Sequence, residues 1–158
     1  MTLVLADTTI LSNFSQIQRP DLLRQAFPLA SIPKAVRDEL RRGESLGYVP
    51  VCDWSWLRLI ELTEEEVLRA DDLSRALQAG EAACLAVGEL RGALVLTDDR
   101  AARRIAATLN VEISGTVGTL VRLVNRGLLD LSEGDRLLAE MTARGYRSPV
   151  RSLREPGL

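Results

Sequence analysis

The sequence predicts an α/β fold built around a mostly parallel sheet. Short strand candidates, Leu3–Ala6, Leu29–Ile32, Ala93–Leu96 and Val111–Ile113, alternate with longer amphipathic stretches, the pattern of strand–helix–strand units. Two of the runs, Leu3–Ala6 and Ala93–Leu96, are apolar at every position, as strands covered on both faces must be. Segments that start helices, rich in Asp, Thr or Gly, follow the runs directly.

The elements follow in order. Leu3–Ala6 ends in Asp7-Thr8-Thr9, a helix start with Asp or Thr as cap. Ile10–Ile17 and Asp21–Phe27 carry helical spacing interrupted at Pro20. Leu29–Ile32 reads as the second strand. Pro33 suits the first turn of a helix running to about Arg42, with Gly43 as its stop. Gly43–Asp53 reads as a loop, and Trp54–Leu62 alternates as a strand does. Thr63-Glu64-Glu65-Glu66 is a capping box opening a helix toward Leu77. Gly80–Leu90 is helical, Ala93–Leu96 a strand, Asp99–Leu109 a helix and Val111–Ile113 a short last strand. Gly115–Arg126 and Ser132–Arg144 are helices, and a tail carrying Pro149 and Pro156 begins at Gly145.

A chain of 158 residues suits one domain and can bury about 68–70% of its unfolded surface, so it needs no disulfide or structural metal to hold a core. The expected organisation is a domain over residues 1–145 and a tail over 146–158. Apolar runs are far shorter than the ~20 residues of a membrane span. The start lacks a basic segment before its apolar run and reaches Asp7 at once, unlike a signal peptide. Cys52 and Cys84 fit reduced thiols better than a disulfide framework. The expected location is the cytoplasm.

Histidine is absent, which excludes every His-dependent triad, His-liganded zinc site and His general base. Any catalysis must come from carboxylates, hydroxyls, arginines or a bound cofactor. A net charge of −2 argues against a non-specific nucleic-acid coat but allows a local basic patch. Lysine occurs once, at Lys34, so nearly all cationic character is arginine, suited to phosphate and carboxylate forks. Gly115-Thr116-Val117-Gly118 is not a dinucleotide fingerprint, and it reads as a helix entry that needs small residues.

Ligands of open α/β sheets bind beyond the carboxyl ends of the strands. Asp7 stands there after the first strand, and Thr97-Asp98-Asp99 stands there after Ala93–Leu96. Two more acids occupy apolar helix faces: Glu39, three residues after Val36, and Glu81, on the stripe of Cys84, Leu85 and Gly88. Each has an ordinary reading. Asp7 and one of Asp98 and Asp99 can be N-caps, Glu39 can lie at the edge of its stripe, and Glu81 can complement a helix dipole. Together they leave one acid of the Asp98-Asp99 pair unexplained. Converging carboxylates also repel unless protonated or met by a cation, and an all-oxygen ligand set selects Mg²⁺ or Mn²⁺ over zinc.

These residues, in this order, resemble the PIN-domain nucleases. The resemblance rests on Leu3-Val4-Leu5-Ala6-Asp7-Thr8-Thr9, on Ile32-Pro33 with Val36 and Glu39-Leu40, on Gly80-Glu81-Ala82-Ala83-Cys84-Leu85-Ala86, and on Leu94-Val95-Leu96-Thr97-Asp98-Asp99. Downstream, Ile113-Ser114-Gly115-Thr116-Val117-Gly118-Thr119-Leu120 is similar to small prokaryotic PIN-like proteins, relatives of the VapC-type toxins. The resemblance implies a five-stranded parallel sheet flanked by helices, with a metal-dependent ribonuclease site at its carboxyl edge. Asp7, Glu39, Glu81 and Asp99 match the family's acidic positions. Asp98 is an additional acid and a second candidate ligand, and Thr8 and Thr97 match hydroxyl positions that support the site. Glu81 departs from the Asp of many relatives.

The expectation is therefore an Mg²⁺- or Mn²⁺-dependent endoribonuclease hydrolysing RNA phosphodiester bonds. Asp7 and Asp99 would bind one ion, and Glu39 and Glu81 a second ion or its waters. On the resemblance alone, the chain is expected to be a homodimer and the toxin of a toxin–antitoxin pair, with an antitoxin protein as partner. The alternatives are a non-toxin RNA-processing nuclease and a catalytically inactive module that binds RNA or protein. Arg100, Arg103 and Arg104 at the start of one helix are candidate substrate contacts, with a solvated face as the ordinary reading. Trp54 and Trp56 are expected to pack in the core rather than stack on bases, and the tail arginines Arg147, Arg151 and Arg154 support no assignment.

Overall fold

Strands of two or three residues are enough to order this chain because the three central ones are largely buried, while the two edge strands stay partly exposed. The computed structural model describes residues 2–155. The elements are β1 (Val4–Ala6), α1 (Thr8–Gln16), α2 (Pro20–Ala26), β2 (Ser31–Pro33), α3 (Lys34–Ser45), β3 (Arg58–Ile60), α4 (Glu64–Leu73), α5 (Ala79–Arg91), β4 (Leu94–Leu96), α6 (Arg100–Leu109), β5 (Ile113–Ser114), α7 (Thr116–Asn125) and α8 (Leu131–Ala143). The expected α/β class holds: one five-stranded sheet in the order β3-β2-β1-β4-β5, parallel at every pairing.

That order positions the site. The chain winds outward from β1 through β2 to β3, then returns to lay β4 on the other side of β1. The reversal opens a crevice between the carboxyl ends of β1 and β4, where ligands of such sheets bind. The register Val4↔Leu94, Leu5↔Val95, Ala6↔Leu96 brings both strands to their ends together, and the Asp7 amide donates to the Leu96 carbonyl at 3.0 Å. Asp7 and Thr97 therefore leave the sheet side by side. Behind them, α5 buries Gly80 and every residue from Ala82 to Gly88. Leu5, Leu85, Leu96 and Phe14 are among the fully buried side chains.

Several boundaries differ from the expectation for local reasons. Helix α3 runs through Gly43 and stops two residues later, because Gly47, at φ +76°, supplies the left-handed residue. The Tyr48 amide then reaches the Gly43 carbonyl (2.9 Å) and the Gly47 amide reaches that of Glu44 (3.1 Å), the double bond of a Schellman motif. Pro33 ends β2 and occupies the cap position of α3 rather than its first turn. The strand expected over Trp54–Leu62 contracts to Arg58–Ile60. Its first residues turn instead, with the Leu57 amide bonded to the Trp54 carbonyl (3.0 Å) and Trp54 Nε1 donating to Ser15 Oγ (3.1 Å). Both tryptophans pack against the core. Helix α4 opens with the expected capping box between Thr63 and Glu66 but ends at Leu73. Glu66 is also buried, at 2% exposure, where Arg91 grips both its oxygens at 2.7 Å.

Candidate active site

Asp7 lies beneath the crevice with no exposed surface. It caps α1 by accepting from the Ile10 amide at 3.2 Å, and the same oxygen, Oδ1, accepts from Thr9 Oγ1 at 2.6 Å. Oδ2 is buried and has no hydrogen-bond partner. Burial pushes the Asp7 carboxyl up to about 7, against the opposing pull of the Thr9 and Thr97 hydroxyls and the Ile10 amide. A carboxylate oxygen sealed from water without a donor is costly, and such oxygens commonly mark the place of an unseen water or ion.

Glu39 comes from α3 and meets the first turn of α5. Its Oε1 accepts from Thr8 Oγ1 at 2.7 Å and its Oε2 from the Gly80 amide at 3.2 Å. A Cβ at Gly80 would take the place of Glu39 Oε1, so the glycine leaves room for that carboxylate to sit against the first turn of α5. Glu81 stands one residue on, half-buried, with Oε2 3.4 Å from the Gln78 amide. Burial pushes Glu81 up to about 7, reinforced by the charges of Asp99, Asp7 and Glu39 in that order. Asp99 caps α6 through Oδ2, which accepts from the Ala102 amide at 2.8 Å, and its own amide donates to Thr97 Oγ1 at 3.1 Å. Glu39, Glu81 and Asp99 line a cleft of about 390 Å³ that also takes in Thr8, Thr9 and Asn13.

Asp98 turns away from this cleft. Its Oδ1 accepts from the Thr116 amide at 2.8 Å. Its Oδ2 accepts from Thr116 Oγ1 at 2.5 Å and from Asn13 Nδ2 at 2.7 Å. Gly115, the cap residue of α7, offers no side-chain oxygen, so Asp98 provides that oxygen from another loop. This accounts for the paired acids: Asp99 caps the helix it precedes, and Asp98 caps the next one. Thr9 ties the two strand ends together, donating to Asp7 while its oxygen accepts from the Asp98 amide at 2.9 Å.

None of Asp7, Glu39, Glu81, Asp98 and Asp99 forms an ion pair with an arginine or lysine among the described residues. The contrast with Glu66 and Glu89, each gripped by an arginine at 2.7 Å, is direct. Mutual repulsion without a cation is the electrostatic signature of this cleft. Among the described residues, no three acids stand close enough to enclose a metal ion. An ion here would be met by one or two carboxylates with water filling its remaining positions, the coordination that Mg²⁺ favours.

Of the candidate substrate arginines, Arg103 is anchored by Nε donating to the Thr97 carbonyl at 3.2 Å. Arg100 and Arg103 line a second cavity beside the cleft, and Arg104 lines neither. Sequence reasoning gives no role to Asn13 or Tyr146, reads Thr116 only as part of a helix entry, and assigns nothing to Arg147 among the tail arginines. Tyr146 and Arg147 line both the acid cleft and the second cavity, and Tyr146 Oη is 3.5 Å from Asp98 Oδ1. No local signal marks them, because their role depends on where α8 releases the chain.

The class these features define is a small parallel α/β protein with uncompensated carboxylates gathered at the crevice where its strand order reverses. The family follows from comparison with known families. The model described as DUF3368, PIN domain, matches residues 3–155, and the chain belongs to that family, within a superfamily of nucleases. No curated protein matches the chain. No described helix is long and apolar enough to cross a membrane.

Proposed function

We propose that this protein is a metal-dependent endoribonuclease. The observation that carries the proposal is the uncompensated carboxylate group, with Asp7 Oδ2 buried and partnerless at its base. Asp7 and Asp99 would hold a Mg²⁺ or Mn²⁺ ion, and Glu39 and Glu81 a second ion or its waters. The bound ion would supply Lewis-acid activation of water and neutralise charge on the phosphodiester. The protein's own part is orientation. Thr8 and the Gly80 amide hold Glu39, Thr9 holds Asp7, and Thr97 holds the backbone of Asp99. No side chain in the cleft is a strong nucleophile, which suits direct attack by water.

Purified protein incubated with mixed RNAs and Mg²⁺ or Mn²⁺ tests the proposal. Cleavage should be abolished by chelator and by Asp7→Asn or Asp99→Asn. Cleavage undiminished in both variants sinks it. The second reading, an inactive module that binds RNA or protein, draws on the absence of a ready three-acid cage among the described residues. A Mn²⁺ titration separates the two, since the inactive module takes up no ion at the carboxylates. Within the nuclease reading, the toxin role, a homodimer and an antitoxin partner rest on the resemblance to the VapC-type branch. The exposed apolar side chains Leu46, Tyr48 and Val51 support a protein partner. An adjacent gene for a small antitoxin favours the toxin over a housekeeping RNA-processing role.

A further inference from the structure

Helix α8, like α3, ends in a Schellman motif. Gly145 takes φ +110°, its amide bonds to the Thr142 carbonyl, and the Tyr146 amide bonds to that of Met141, each at 3.1 Å. The exit direction of the chain is thereby set, and Tyr146 comes to rest against Asp98. Farther along, the Leu153 amide and Ser152 Oγ both donate to Asp135 of α8, at 2.7 and 2.8 Å, and Leu153 is buried. Arg147 is thus carried on a strap pinned at both ends.

Beside the acid cleft, across Tyr146 and Arg147, lies a cavity of about 310 Å³. Arg100, Arg103 and Arg147 line it, and none of the three forms an ion pair among the described residues. Arg103 is oriented through Nε, which leaves its terminal nitrogens for an incoming acceptor. The one carboxylate lining the cavity is Asp98, and both its oxygens are already engaged. A cluster of unpaired arginines adjoining a cluster of unpaired carboxylates fits a ligand that presents phosphates on both sides of the divide. One phosphate would face the acid cleft and its cation, and the next would face the arginines.

We propose that the cavity is a seat for a phosphate flanking the scissile one, that Arg147 closes it together with Arg103 and Arg100, and that the strand crosses the ridge at Tyr146. The seat rests on the nuclease reading for its place in the reaction, but its binding is measurable without cleavage. In this seat Arg147 contacts substrate and does no chemistry.

The test measures fluorescence anisotropy of labelled hexauridylate with Asp7→Asn protein in Mg²⁺, so that the strand stays intact, across about 50–200 mM salt. Adding Arg147→Ala should weaken binding roughly tenfold, the loss of one charge-assisted contact. It should also reduce the slope of log affinity against log salt by about 0.7, the value per phosphate contact on a single strand. Arg147→Lys should restore the slope. Arg126→Ala should change neither quantity, since Arg126 lines a cavity with Val4 and Leu94, at the opposite edge of the sheet. An unchanged slope and affinity in Arg147→Ala overturns the seat, as does failure of hexauridylate to bind the Asp7→Asn parent. Cleavage of mixed RNA by the unmodified protein is scored separately. Cleavage without an Arg147 effect removes the seat and leaves the nuclease. An Arg147 effect without cleavage removes the nuclease and leaves an RNA-binding site.

Discussion

Replacing Asp7 with asparagine isolates the cost of burying a carboxylate that no cation compensates. Burial lifts this carboxyl from 3.8 to about 7. At about 1.36 kcal/mol per pH unit, the ionised group lowers the stability of the metal-free protein by about 4 kcal/mol once the pH is above 7. The sign follows from proton binding. Between the two pKa values the folded chain holds a proton that the unfolded chain has released. Stability is therefore whole below about pH 4, falls as the pH rises, and levels off above about 7. Asparagine does not titrate. It instead buries amide hydrogens where Oδ2 has no partner, at a cost of about 1–3 kcal/mol. The variant should then exceed the parent by about 1–3 kcal/mol near pH 8 and show no advantage near pH 5, the gap widening by about 3 kcal/mol between them. Glu81, also lifted to about 7 and in part by the Asp7 charge, is relieved of that charge in the variant, which acts in the same direction at high pH. Urea unfolding in chelator, followed by the fluorescence of Trp54 and Trp56, reads the difference. Mn²⁺ should then stabilise the parent near pH 8 through selective binding to the folded state and leave the variant unmoved. Parallel pH profiles for the two chains would refute the reasoning.

The remaining predictions address the supports of the site. Gly80→Ala should force Glu39 from its place, costing about 1–3 kcal/mol and most of the RNA cleavage. Combined with Glu39→Ala it should cost less than the two changes added, because both remove the same contact. Asp98→Asn and Asp99→Asn should part company. The first disturbs the cap of α7 and lowers the unfolding midpoint, by about 1–2 kcal/mol in stability, while Mn²⁺ still stabilises the protein. The second abolishes that Mn²⁺ response and RNA cleavage, both measurable on the same preparations. Arg91→Ala should cost about 2 kcal/mol in urea unfolding, because it strands the buried carboxylate of Glu66. Glu66 is held below the usual carboxylate range by Arg91, so the pair's contribution should fade as acid protonates that carboxylate.

Much of the molecule was legible in the chain because much of it is local. A cap is a bond between neighbours three residues apart, so Asp7, Asp99 and the Thr63–Glu66 box declare themselves from residue type and spacing alone. The burial of β1 and β4, complete but for the first residue of each, is written in their unbroken apolar runs, and the order of acids along the chain carried the family resemblance. Other features arise only when distant segments meet. Strand order lays β4 against β1 and so joins Asp7 to Asp99. The same folding turns Asp98 toward Thr116, 18 residues away, and brings Tyr146 to Asp98 across 48 residues. Gly47 rather than Gly43 ends α3 because left-handed backbone, not glycine as such, stops a helix. The raised affinity of Asp7 and Glu81 for protons has a tertiary origin as well. Desolvation and like-charge repulsion depend on what surrounds a carboxyl group in space, whereas residue type and spacing set only which carboxyl groups are available to be gathered.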